Sequence, residues 1–183
     1  MYQQISGLAK LIGEMGADVV TGGGPGLMHA ASSGHESGTQ DGRNHTIGLN
    51  IRLPFEQKTN KHLDILVEHK KFSTRLDNFV KLSNLIVVAP GGIGTLLEFF
   101  FVWQLMQVGH SCEMPIILMG EMWKDFLKWM RKWPLEKKLM SKEDLKYVVC
   151  IKNIEDAMKI IKKSYKAFQE GGKTACVNWK KYR

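Results

Sequence analysis

Apolar residues along this chain alternate between two rhythms. Ile5, Leu8, Ala9, Leu11 and Ile12 recur at helical spacing over residues 2–14, and Gly16 stops that helix. Asp18-Val19-Val20-Thr21 is a short extended run closed by Gly22-Gly23-Gly24-Pro25-Gly26. A small-residue helix is expected over 27–37, then a strand over 46–51, a polar loop over 54–61 and a strand over 65–68. Residues 72–83 read as a helix with Leu76, Phe79, Val80 and Leu82 near one face. Leu85-Ile86-Val87-Val88-Ala89 is a buried strand that runs into a glycine loop and then an apolar helix ending near Val108. Strands over 115–119 and 147–151 bracket an amphipathic helix over 122–132, and a helix over 154–169 closes the pattern.

Strands written as continuous apolar runs, alternating with helices, predict an α/β fold: a Rossmann-like parallel sheet with helices on both faces. No repeat, low-complexity tract or long linker divides the chain, so one domain over 1–183 is expected, with 170–183 as a basic tail. Ligands of such sheets sit at the carboxyl ends of the strands, and both glycine loops, 22–26 and 91–94, follow a strand.

Composition narrows the picture. The chain has 183 residues, 44% hydrophobic and 24% charged, which suits a proper core. No apolar run approaches a membrane span, and the polar N-terminus lacks a secretory core. Cys112, Cys150 and Cys176 are odd in number and far apart, and read as reduced thiols of a cytoplasmic protein. The net charge is +8, with 17 of the 26 Lys and Arg after Gly120, many on helices where they solvate an outer face. There is no RNA-binding aromatic signature, zinc-finger spacing or basic heptad, so neither a specific nucleic acid nor a membrane is expected as a partner.

The second loop carries the chemistry. Pro90-Gly91-Gly92-Ile93-Gly94-Thr95-Leu96-Leu97-Glu98 joins a strand to a helix, an arrangement that aims free backbone N–H groups at an anion. Thr95 can add a hydroxyl, and Glu98 brings a carboxylate close to whatever the loop holds. Neither loop ends in the Gly-Lys-Ser/Thr of a P-loop, and His29 and Leu97 stand where a dinucleotide fingerprint needs its third glycine. A mononucleotide phosphate suits both loops better than a dinucleotide. The competing reading is that the glycines merely make tight turns.

Gly22-Gly23-Gly24-Pro25-Gly26-Leu27-Met28 followed by Ala30-Ala31, together with the Pro90–Glu98 signature, resembles the two motifs of the LONELY GUY (LOG) family. That family comprises nucleoside 5′-monophosphate phosphoribohydrolases, many under the older label "lysine decarboxylase-like". The resemblance runs from about residue 2 to about 168. Arg75, in Phe72-Ser73-Thr74-Arg75-Leu76-Asp77-Asn78-Phe79, stands where the family has an arginine ahead of the second motif. Leu76 and Asn78 replace the lysine and methionine usual in plant cytokinin-type members. The stretch from Arg75 to Val80 and that from Ile47 to Gln57 are more similar to the bacterial nucleotide nucleosidases. Family members open with a strand and a Gly-Ser loop, whereas this chain starts in the helix that follows. The sheet is therefore expected to lack the family's first strand, as in a truncated reading frame.

The resemblance implies hydrolysis of an N-glycosidic bond, giving free base and ribose 5-phosphate, as in an AMP nucleosidase, with no metal or organic cofactor. Glu98 would stabilise the sugar cation and direct the water. Arg75, always protonated and so a poor general acid, would act by electrostatic positioning. Gly91, Gly92, Gly94 and Thr95 would hold the 5′-phosphate, and Gly23, Gly24 and Gly26 would shape the opposite wall. A homodimer or higher homo-oligomer is implied, consistent with a helix over 96–108 that is apolar nearly all round. The alternative is a carrier that binds a nucleotide or molybdenum cofactor without cleaving it. Amino-acid decarboxylation fits poorly, since no lysine stands beside a phosphate cup for a Schiff base. His29 and His35 fall on different helix faces and read as polar surface; His110 and Cys112 are too close together for a separate metal site. Asp41 and Arg43 solvate a loop, and Asn50 and Glu56 lie where they could border the pocket.

Overall fold

The computed structural model describes residues 1–40, 42–54 and 60–171. Asp41, Glu56, Cys176 and most of the basic tail lie outside the described residues. The chain divides into two compact units after Ser83. Each is a parallel α/β unit with a three-stranded sheet flanked by helices, so the strands group three and three.

The first unit runs α1 (Tyr2–Glu14), β1 (Val19–Thr21), α2 (Leu27–Gly38), β2 (Thr46–Ile51), β3 (Ile65–His69) and α3 (Phe72–Leu82). Val19 pairs with Thr46, and Ile47 with Ile65 through to Ile51 with His69, in parallel ladders. All three carboxyl ends therefore point to the same edge.

Helices α1 and α2 meet backbone to backbone. A Cβ on Gly34 would sit 2.1 Å from the Ser6 carbonyl oxygen, one on Gly38 2.1 Å from that of Lys10, and one on Gly13 2.6 Å from that of His35. The small residues of α2 are thus the contact itself, not filler. Beside them His35 is fully buried, which corrects the expectation of a surface side chain. Its Nε2–H donates to the Ala17 carbonyl (2.8 Å), leaving Nδ1 to accept from the Thr46 hydroxyl (2.6 Å). Asn44 donates to the Gly13 (3.1 Å) and Ala17 (3.2 Å) carbonyls. These bonds serve the Ala17 carbonyl and add to the bond that the Gly13 carbonyl already accepts from the Gly16 N–H (2.9 Å). A hydrophobicity pattern cannot show that a histidine serves this way.

The second unit runs β4 (Ile86–Val88), α4 (Ile93–Gln107), β5 (Ile116–Met119), α5 (Met122–Met130), β6 (Val148–Ile151) and α6 (Ile154–Gln169). β5 is central and buried along its whole length, pairing in parallel with β4 and β6. Phe99 anchors an aromatic core, with ring centroids 5.1 Å from Trp103, 5.5 Å from Trp123 and 5.7 Å from Phe126. Beyond α5 the coil widens into a π-helical turn over Arg131–Leu135. Pro134 lies inside it; lacking an N–H and carrying a ring that crowds the carbonyl four residues back, it favours the wider turn.

Cys150 is a free, partly buried thiol whose burial raises its pKa. Cys112 is disulfide-bonded, which corrects the expectation that it is a reduced thiol. Among the described residues no helix is long and apolar enough to cross a membrane.

Gly34→Ala should force α1 and α2 apart, because the obstacle is backbone. We expect a loss of about 1–3 kcal/mol, read as a lower urea midpoint at unchanged slope. An unchanged midpoint would show that the helices are not in backbone contact.

Candidate functional site

The predicted site residues fall in both units. In the first, Gly22 and Gly23 are buried as the chain leaves β1, Gly24 is half-buried and Gly26 exposed. Gly23 and Gly26 both have φ of +71°, a conformation L side chains resist, so turn geometry accounts for them. Gly22 is different. A Cβ there would stand 2.5 Å from a terminal nitrogen of Arg75 and 2.7 Å from the Met28 sulfur.

That nitrogen belongs to a guanidinium held on two sides. Arg75 is 8% exposed, donates from Nε to the Leu49 carbonyl at 2.6 Å, and lies 5.1 Å above the Phe79 ring one turn along α3. β2 supplies the carbonyl and α3 the ring. The first glycine loop and Arg75 are thus brought together, with a fixed cation beside the backbone that follows β1.

The structure adds a residue that the sequence reading passed over. His69, at the carboxyl end of β3, is 8% exposed. Its Nδ1 lies 3.4 Å from the Thr74 hydroxyl and its Nε2 3.4 Å from the Asn78 amide. Both distances exceed the usual hydrogen-bond range, so the ring is loosely held. A histidine ending an apolar run reads as a strand terminus, which is why pattern alone missed it. Asn50 spends its side-chain oxygen on the Ile51 amide at 2.9 Å.

In the second unit α4 begins at Ile93, two residues earlier than expected, with Gly92 as its N-cap. Gly94 and Thr95 therefore lie inside the first turn, where the N–H groups have no intrahelical acceptor; the first ladder bond is Leu96 N–H to the Gly92 carbonyl, 3.1 Å. Gly91 is explained by packing, since a Cβ there would be 2.1 Å from the Thr95 hydroxyl. Gly92 and Gly94 are not. Neither has a positive φ, and a Cβ on either would meet nothing within 4 Å. Ile93 between them is 86% exposed. Glu98 is half-buried one turn further on, on the same face as Gly94 and Thr95.

His29 lies in a separate surface cluster, with the Tyr2 hydroxyl 2.7 Å from its Nδ1 and the His62 ring edge-on at 4.9 Å.

Residues 28–161 match the model of a family described as "Possible lysine decarboxylase". The chain belongs to that family. The match covers the turn of α2, Arg75 and the whole second motif, and supports the LOG-like superfamily that the motifs suggested. Solved structures agree on the fold. A molybdenum cofactor carrier protein from Chlamydomonas reinhardtii superposes with a TM-score of 0.64 at 23% identity, covering 90% of this chain and 88% of that one. The molybdenum cofactor binding protein from Rippkaea orientalis gives 0.63 at 21%, covering 88% and 86%. No curated protein matches the chain.

Gly22→Ala tests the contact between loop and cation. The added methyl meets only the flexible ends of Arg75 and Met28, so stability should change by less than about 1 kcal/mol while the guanidinium moves, as seen in a crystal structure of the variant. A loss above about 3 kcal/mol with Arg75 unmoved would place Gly22 in the core packing instead.

Proposed function

We propose that this protein hydrolyses the N-glycosidic bond of a nucleoside 5′-monophosphate, releasing the base and ribose 5-phosphate. The observation that carries the reading is the pair Gly92 and Gly94. Neither backbone conformation nor packing requires glycine there, so the positions keep the backbone bare for a group approaching the first turn of α4. A phosphate is the group that such a turn attracts.

In this reading Gly91, Gly92, Gly94 and Thr95 hold the 5′-phosphate. The C1′–nitrogen bond breaks with its electron pair going to the base. The sugar cation that develops is stabilised by the Glu98 carboxylate. Water adds to C1′ and Glu98 takes its proton, while a proton from solvent reaches the departing base nitrogen, so that the free base leaves neutral. Arg75 offsets the negative charge of the substrate without giving up a proton. The bond is cleaved by water with no redox change, so the proposal needs no organic cofactor. A cytoplasmic setting remains part of it.

The outer stripe of α4 bears on assembly. Ile93, Leu97 and Phe100 recur at i, i+4 and i+7 and are 86%, 42% and 42% exposed. Helix α4 is therefore not buried on every side within one chain, and we propose that a second copy covers this stripe in a homodimer.

The carrier reading has its own support, because the structural neighbours include proteins named for carrying or binding molybdenum cofactor. Glu98 favours hydrolysis, since holding a phosphate on peptide amides gives no use for a carboxylate beside it. The deciding measurement is release of free base from a panel of nucleoside monophosphates, followed by chromatography. Glu98→Gln should cut the rate about a hundredfold or more, and Arg75→Ala should weaken substrate capture. Tight nucleotide binding with no base released from any member would leave the carrier.

A further inference from the structure

The outer side of α5 and the turn beyond it carries a combination that folding alone does not explain. Trp129 and Trp133, four residues apart, are 53% and 46% exposed, and Leu139 is 79% exposed. Exposed indoles are costly to keep in water and are the informative exception to burial. Arg131, Lys132, Lys137, Lys138 and Lys142 lie in the same stretch of chain, with Glu136 among them and Glu143 and Asp144 just beyond it. Lys124, Lys128 and Lys146 nearby pair with Glu121, Asp125 and Glu113. None of the five pairs with a carboxylate among the described residues. Lys132 lies over the Trp133 ring at 5.3 Å, so cation and indole occupy one surface.

We infer that this face docks the protein peripherally on an anionic lipid surface. Three features select that occupant. The unpaired cations call for an anionic partner. A second copy of the chain is disfavoured, because a two-fold contact sets the same patch against itself and brings like charges together. Single-stranded nucleic acid could stack on the indoles, but it has no use for Leu139, the most exposed of the three apolar side chains. A lipid interface takes all of them: indoles at the headgroup level, leucine into the acyl boundary, and lysines reaching up to phosphate. This proposal replaces the expectation that these lysines only solvate a helix. It is independent of the catalytic reading; Phe100 of the α4 stripe lines one pocket with Pro134 and Leu139, so the two surfaces adjoin.

The test is co-sedimentation of the full-length protein with phosphatidylcholine vesicles, with and without phosphatidylserine. Binding should require phosphatidylserine and weaken as salt rises. Each charge removed, as in Lys132→Gln, Lys137→Gln or Lys138→Gln, should lower partition about fivefold. Trp129→Ser with Trp133→Ser should lower it at least tenfold, while circular dichroism and base release stay as in the parent. The charge variants alter only exposed side chains and keep the test valid if the tryptophan pair misfolds. Equal binding to neutral vesicles, no binding, or variants that bind like the parent would overturn the proposal. So would capture of an oligonucleotide in place of vesicles, or conversion of a dimer to monomer by the same variants.

Discussion

The guanidinium of Arg75 is the fixed point of the first unit. An arginine buried to 8% exposure is tolerable only if its charge and its donors are met. Leu49 meets one donor through a backbone carbonyl, and Phe79 offers the face of a ring. Both partners are structural: the carbonyl belongs to the middle strand of the sheet and the ring to the helix that carries Arg75 itself. These two contacts tie the cation to the sheet and to its own helix. Gly22 leaves clear the space that the same guanidinium occupies, and a side chain there would displace it. One constraint thus links β2, α3 and the first glycine loop, and it explains why the loop opens with glycine before any ligand is considered.

The second loop is organised on a different principle. Its glycines are not forced by left-handed backbone, and only Gly91 is forced by packing. In the first loop Gly23 and Gly26 are turn glycines, so a purely structural reading covers them. The two loops look alike as strings of glycine, yet in one the residue is demanded by the chain's own conformation and in the other it leaves backbone uncovered. A proposed phosphate site belongs with the uncovered one.

Among the described residues, the order and type of six α-helices and six strands follow from the spacing of apolar residues, which encodes the buried face, whereas the 3-10 helix over Glu143–Tyr147 does not. Glu98 came from its place one turn beyond the glycine loop and Arg75 from motif resemblance, neither from periodicity. Details that depend on contacts between distant segments were out of reach. His35 satisfies the Ala17 carbonyl, 18 residues away, a role that no local pattern signals. The π-helical turn depends on how Pro134 is accommodated after α5 has formed. The exposure of Trp129 and Trp133 is the clearest case: on a helical wheel tryptophan reads as core, and Trp103 and Trp123, both buried, behave that way.

Fold likeness cannot divide enzyme from carrier here, because both chemistries begin with the same act. A parallel sheet ending in a glycine loop and a helix presents amides to a phosphate whether or not the bond beyond it is to be cut. What separates the two is whether the site also holds charge suited to a state that exists only during reaction. A carboxylate near a bound phosphate opposes binding through like-charge repulsion, so for a carrier Glu98 would be a liability. For a hydrolase that same repulsion is outweighed when the sugar becomes cationic. On the proposed reading, the half-buried position of Glu98, one turn past the bare glycines, suits that trade.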